Sequence, residues 1–274
     1  MDELEKLRQE LASIDRELLE QFSKRMGIAG RVARYKERTR EKVYVPEQEA
    51  RVLARAEAQV PEELGAYVGS FVRTLMRLSR ERQYELLIQT QSSNLGGALE
   101  NVQTRLPEIQ TLSISPDLPR DCLTSLRSRW ADASLVEAKD AGKACRRVVA
   151  GSADGAVLPL DDELLFLLEK HALYVQACLS WSSERYVLVG SELVWPAAGQ
   201  SSLLVRIKGK IVSEALCLVT QIFSDLGLNI VHIKSLSDAS LFLEFTAASS
   251  FSVERALHQI QQEAGEIQLV GCCL

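Results

Sequence analysis

An apolar stripe near the start of the chain most constrains what this sequence can fold into. Its members recur at steps of three and four residues, the spacing of one face of an α-helix: Leu4, Leu7, Leu11, Ile14 and Leu18. We predict one long helix over 3–38, a second from Pro46 to about 59, and a third from Pro61 to about 88. A long helix with two shorter ones cannot bury its seam alone, so we expect a dimer.

Two cations on the long helix point to a binding site. Arg25 and Lys36 are eleven residues apart, about three turns, so they share a face with Cα atoms roughly 16 Å apart. Side chains leaning toward each other leave a gap suited to a small dianion. Arg8 is too far away within one chain but could serve a second copy packed antiparallel. Any one of these cations alone is typical of a solvent-exposed helix face. Their joint spacing favours a pocket that binds an anion, since burying several like charges together without a counter-ion is costly.

The periodicity changes after QSSNLGG at 91–97, which reads as a linker. Strands are predicted at 109–114, 133–136, 154–158, 173–178 and 185–190, with helices at 119–129, 139–150 and 162–170. This alternation indicates an α/β layer with a partly parallel sheet. After a break at 196–200, the order βαββαβ indicates a ferredoxin-like split: strand 202–208, helix 212–226, strands 228–235 and 240–247, helix 251–264 and strand 266–272.

Composition narrows the function. The net charge of -5 argues against nucleic acid as a partner, no apolar run is long enough for a membrane span, and the acidic N-terminus does not look like a signal peptide. We therefore expect a cytoplasmic protein. The six cysteines show no C-x-x-C spacing, so free thiols are favoured over disulfides or zinc. The histidines, His171, His232 and His258, are interpreted as structural, and no metal or cofactor is expected.

The run LRQELASIDRELLEQFSKRMGIAGRVARYK, followed by VYVPEQEARVL, resembles the all-helical chorismate mutases. It is most similar to the mutase domain at the front of bifunctional chorismate mutase–prephenate dehydratase proteins. The resemblance covers about residues 3–88 and includes an S-x-x-x-Q pair near the end of the third helix.

This resemblance implies the rearrangement of chorismate to prephenate in aromatic amino acid biosynthesis, which needs no nucleophile, metal or cofactor. The protein must hold a flexible dianion compactly and stabilise charge on its ether oxygen. The implied site consists of Arg25 and the partner subunit's Arg8 on carboxylates, Lys36 bridging a carboxylate and the ether oxygen, Gln83 donating to that oxygen, Glu49 accepting from the ring hydroxyl, and Ser79 on a carboxylate. Chorismate is thus the expected substrate and a homodimer, with Arg8 acting across its interface, the expected assembly.

The chain departs from this pattern at several positions. Val45 and Gln48 stand where VYDPERE has an acid and an arginine. The segment ADGAVLPLDD at 153–162 resembles the dehydratase, and Glu184-Arg185-Tyr186 stands in the place of its Thr-Arg-Phe motif in one of two possible alignments. A dehydratase cleft lies between two lobes, and 91–196 suffices for only one, so we expect no dehydratase activity.

The last block resembles an ACT domain, a small regulatory module. Glu214-Ala215-Leu216 replaces that family's Gly-Ala-Leu, and Lys234-Ser235-Leu236-Ser237 replaces its Glu-Ser-Arg-Pro. Phenylalanine binding in the usual site is therefore not expected, although an amino-acid effector at this domain stays open.

The resulting prediction is a multidomain chorismate mutase. It comprises a helical mutase domain at 1–90, a reduced dehydratase-like α/β lobe at 91–196 and an ACT-like domain at 197–274. Two alternatives remain: an isochorismate pyruvate lyase, which can use a similar helical pocket, and a regulatory pseudoenzyme or amino-acid-binding subunit of the pathway.

Overall fold

A computed structural model of the chain describes residues 2–90, 102, 104–181, 184–194, 202–209, 212–246 and 250–273. The chain divides into two compact units, Met1–Ser93 and Asn94–Leu274. The predicted linker at 91–97 and the predicted break at 196–200 lie outside the described residues. In the part of the chain that the structure describes, no helix is both long and apolar enough to cross a membrane.

The first unit is helical, as predicted, with α1 (Glu3–Thr39), α2 (Pro46–Glu57) and α3 (Gly65–Thr90). α1 ends where Arg40 takes a left-handed conformation, with its N–H donating to the Lys36 carbonyl. The third helix begins later than predicted. The Leu64 N–H donates to the Pro61 carbonyl, which closes a 3₁₀ turn at Glu62–Leu64 before α3 starts.

α3 packs against both α1 and α2. Small residues let α1 and α3 approach closely: Ala29 and Ala33 are buried, and a Cβ added at Gly30 would lie 3.4 Å from the Leu86 Cδ1 atom. The apolar residues in the first half of α1 behave differently, because each is 49–60% exposed: Leu4, Leu7, Leu11, Ile14 and Leu18. This α1 stripe is not buried within one chain.

The second unit contains a mixed sheet of nine strands among its described residues. Its strands are β1 (Thr111–Ile114), β2 (Ser134–Glu137), β3 (Gly155–Pro159), β4 (Tyr174–Trp181), β5 (Glu184–Gly190), β6 (Ser202–Gly209), β7 (Asn229–Ser235), β8 (Leu241–Thr246) and β9 (Gly265–Cys273). Its helices are α4 (Arg120–Arg129), α5 (Ala141–Val149), α6 (Asp162–His171), α7 (Val212–Leu226) and α8 (Ser250–Glu263). The predicted alternation of elements is therefore observed.

The strand order is β2-β1-β3-β5-β4-β9-β6-β8-β7. β1 pairs in parallel with β2 and β3, which confirms a partly parallel sheet. We call β2-β1-β3-β5-β4 the first half-sheet and β9-β6-β8-β7 the second, which has the predicted βαββαβ order. The halves join where Val175 of β4 pairs in parallel with Gly271 of β9. Gly271 has a φ of 144°, and a Cβ there would collide with the Val175 backbone, so the close approach requires glycine.

The two half-sheets share a hydrophobic core. Val187 of β5, Leu204 of β6 and Phe242 of β8 belong to one buried cluster, together with Leu165 and Leu168 of α6. A second cluster lies between α7, α8 and the second half-sheet, with Phe223 and Phe245 in edge contact at 4.7 Å. The two halves of the sheet are thus packed as one unit.

The cysteines correct one expectation. Cys178 of β4 and Cys273 of β9 form a disulfide, whereas the sequence favoured free thiols throughout. The two residues are 95 positions apart, and only the pairing of β4 with β9 brings them together, so spacing could not reveal the bond. Four cysteines are free, of which Cys217 is exposed and the others buried: Cys122, Cys145 and Cys272.

Candidate active site

The helical unit brings several of the predicted site residues together. Arg25 reaches from α1 to α3, where its Nη1 atom donates to the Leu75 carbonyl at 2.6 Å and to the Ser79 hydroxyl. The Ser79 hydroxyl in turn donates to the Leu75 carbonyl at 2.8 Å. Burial lowers the pKa of the Arg25 guanidinium, and the negative charge of Glu49 acts in the opposite direction.

Lys36 lies further along α1. Its Nζ atom donates to the Val43 carbonyl at 2.8 Å, in the segment that leads into α2. Burial lowers the pKa of Lys36, while the charges of Glu41 and Glu49 oppose that shift. Arg25 and Lys36 therefore both feel the Glu49 carboxylate, and both donate to neutral groups.

Glu49 occupies the first turn of α2, where the helix dipole favours an acid. Its Oε1 atom accepts from the Nη1 atom of Arg80 on α3. The Arg80 guanidinium also lies 4.9 Å from the centre of the Tyr44 ring, within cation–π range. Arg80 could not be selected from the sequence, because RLSRERQ at 77–83 contains three arginines and no periodic signal that distinguishes one of them.

Gln83 is buried one turn after Ser79, and its Nε2 atom donates to the Ser79 carbonyl at 3.1 Å. Its Oε1 atom is buried without a hydrogen-bond partner among the described residues. A buried amide oxygen of this kind is costly unless a donor reaches it.

Arg8 does not join this group within one chain. Its side chain is 65% exposed, and its Nη1 atom lies 3.6 Å from Glu5. The two departures from the family pattern, Val45 and Gln48, are also exposed. The structure therefore brings together Arg25, Lys36, Glu49, Ser79 and Gln83, and leaves Arg8 apart.

Residues 7–84 match the model of the family described as chorismate mutase type II. The helical unit is a chorismate mutase type II domain. Enzymes of this family are isomerases that convert chorismate to prephenate. The match spans the site described above and less than a third of the 274 residues. No curated protein matches the chain.

Three solved structures are similar to the chain, each over 60% of its length. They are a protein described as GqqA, a novel type of quorum quenching acylase (14% identity, 94% of that chain covered, TM-score 0.49), prephenate dehydratase from Streptococcus mutans (13%, 97%, 0.48), and prephenate dehydratase in complex with L-Phe from Arthrobacter aurescens (13%, 89%, 0.46). Likeness at this level establishes no function for the second unit.

The second unit has a cavity of about 870 Å³ lined by residues of both half-sheets. Its Arg185, from the Glu184-Arg185-Tyr186 segment, donates from Nη2 to the Glu244 Oε1 atom at 2.8 Å, and its Nη1 atom lies 2.6 Å from the Oε2 atom of the same carboxylate. Ser202 also donates to this carboxylate. Lys234 lies 3.0 Å from Asp162. Both cations of this cavity are thus neutralised by carboxylates of the chain itself.

The described residues contain no group of three or more His, Cys, Asp and Glu side chains placed to hold a metal ion.

Burial lowers the pKa of His258, and the negative charge of Glu254 acts in the opposite direction.

Proposed function

We propose that this protein is a chorismate mutase that rearranges chorismate to prephenate in a pocket formed by α1, α2 and α3. The observation that carries the proposal is the convergence of Arg25, Lys36 and Glu49 within the segment that matches the family. Among the described residues, Arg25 and Lys36 donate to backbone carbonyls and a hydroxyl. Partly buried cations with neutral partners can exchange them for the carboxylates of a dianion.

The reaction is intramolecular, so positioning and electrostatics supply the rate. Arg25 and Ser79 bind one carboxylate of chorismate. Lys36 bridges a carboxylate and the ether oxygen, where negative charge grows as the carbon–oxygen bond breaks. Gln83 donates to the ether oxygen from the other side, and Glu49 accepts from the ring hydroxyl.

The active form is a homodimer in this proposal. The exposed α1 stripe is an unpartnered apolar face that a second copy would bury, in accord with the expected pairing of such helices. An antiparallel partner would also bring its Arg8 to the second carboxylate. We place the enzyme in the cytoplasm.

For the second unit we propose a structural or regulatory role without dehydratase activity. Its boundary between a reduced dehydratase-like lobe (91–196) and an ACT-like domain (197–274) is part of the proposal. An amino-acid effector would bind the ACT-like part.

The test is turnover of chorismate by the purified full chain, with product analysis for prephenate. A matched incubation with isochorismate distinguishes the pyruvate lyase, because that reaction releases pyruvate. Absence of prephenate from the folded protein refutes the proposal, and a thermal shift with aromatic amino acids but no turnover supports the regulatory pseudoenzyme instead. Prephenate supplied as substrate tests the dehydratase.

A further inference from the structure

Arg80 is a buried cation in the middle of the candidate site. It is 8% exposed and lies on α3 between Ser79 and Gln83, one residue from the first and three from the second. Its hydrogen bond to Glu49 joins α3 to the first turn of α2, and its guanidinium also lies over the Tyr44 ring. A guanidinium held at two points is a rigid anchor for whatever it binds.

Glu49 is the acid that these cations share. Its carboxylate is bonded to Arg80 and also acts on Arg25 and Lys36. The position of this carboxylate therefore affects the charge at both Arg25 and Lys36, and Arg80 is bonded to it.

Arg80 also compensates for the substitution at position 48, where this chain has glutamine and the family pattern has arginine. The family pattern has an arginine directly before the glutamate, but Gln48 is neutral and exposed here. Arg80 brings a guanidinium to the Glu49 carboxylate from another helix, so this acid has a cation beside it although position 48 carries none.

We propose that Arg80 is a positioning residue for chorismate turnover, which holds Glu49 through one oxygen so that the other faces the ring hydroxyl of the substrate. This inference rests on the proposed function. Arg80 acts through Glu49.

The test compares Arg80→Met, Arg80→Lys and the control Arg82→Met in chorismate turnover. Arg82 lies two positions away and pairs with Glu85 on a more exposed part of α3. We expect Arg80→Met to lower kcat/KM roughly 10- to 100-fold, mainly through KM, because substrate binding loses an ordered acceptor. Arg80→Lys restores the charge without the planar fork and should recover part of that loss, while Arg82→Met stays within about twofold of wild type.

A double-mutant cycle with Glu49→Gln tests whether Arg80 affects turnover through Glu49. If Arg80 acts through Glu49, then the double variant Arg80→Met with Glu49→Gln loses much less than the product of the two single losses. Thermal unfolding of every variant, followed by circular dichroism, separates misfolding from a change at the site.

The outcomes separate this inference from the proposed function. Wild-type turnover together with full kcat and KM in folded Arg80→Met overturns the role of Arg80 and leaves the mutase intact. Independent, multiplicative losses in the cycle overturn the path through Glu49. No turnover by wild type refutes the mutase itself, and the role of Arg80 with it.

Discussion

Two pairs of cations, one pair in each unit, have different kinds of hydrogen-bond partner. In the helical unit Arg25 and Lys36 donate to backbone carbonyls and a hydroxyl, whereas in the second unit Arg185 and Lys234 each meet a carboxylate. Arg206 of β6 follows the second pattern, with Asp238 and Glu169 as its partners. In the proposed site, Arg25 and Lys36 can exchange their neutral partners for the carboxylates of a ligand, whereas cations paired with carboxylates stabilise the fold.

The largest effect is expected from a charge in the α1 stripe, which would disrupt the proposed dimer. Leu11→Asp buries a carboxylate in the proposed dimer interface, so we expect a monomer without measurable mutase activity. Light scattering after size-exclusion chromatography measures the mass, and Leu11→Ile is the matched control. A dimeric, active Leu11→Asp protein would contradict the interface.

The second-largest effect is expected from substitutions of Arg25 and Lys36. Arg25→Ala and Lys36→Ala should each lower kcat/KM for chorismate roughly 10²- to 10³-fold, because each removes a donor aimed at charge in the transition state. The exposed Lys24, which pairs with Glu20 at 2.6 Å, and the exposed Arg34 are the neighbouring controls. Steady-state kinetics that show equal rates for variant and control would reject the site.

A smaller effect concerns the disulfide of the second unit. Cys178→Ser removes a crosslink between residues 95 positions apart, so the free energy of unfolding of this unit should fall by about 3 kcal/mol in oxidising buffer. Urea unfolding measures the change, and Cys217→Ser, at an exposed free cysteine, is the control. Because the disulfide lies outside the segment that matches the mutase family, chorismate turnover should not change in either variant.

The smallest effect is expected from the ion pair between Arg185 and Glu244 in the second unit. Burial raises the pKa of the Glu244 carboxyl, but hydrogen bonds from Arg185 and Ser202 and the charge of Arg185 outweigh it, and the pKa stays below its ordinary value of 4.5. A carboxyl whose pKa is lower in the folded than in the unfolded state stabilises the protein at pH values above its unfolded-state pKa. This stability is lost as the pH falls through the folded-state pKa. Glu244→Gln should cost about 2 kcal/mol at pH 7 and remove this acid-dependent part below pH 4.5.

The measurement for Glu244 is urea unfolding at several pH values between neutral and acid. Equal pH dependence of wild type and Glu244→Gln would show that the pair does not stabilise the folded unit. Arg185→Met should lose a similar amount with unchanged mutase kinetics, whereas a mutase defect in either variant would break the contrast between the units.

Local pattern alone determined a large part of this protein. Apolar residues at steps of three and four predicted α1, and short apolar runs predicted the strands of the second unit within a few residues, because the spacing of apolar residues follows the period of the element. The same spacing did not reveal that the α1 stripe is exposed within one chain. The spacing of Arg25 and Lys36 along one helix likewise placed them on a common face before any packing was known.

Only the tertiary structure decided which distant groups meet. Periodicity could not select Arg80 from three neighbouring arginines, join Cys178 to Cys273, or make one continuous sheet of the two half-sheets through Val175 and Gly271. Such contacts form only when helices and strands pack against one another. That packing depends on the shapes and charges of residues that are far apart in the chain.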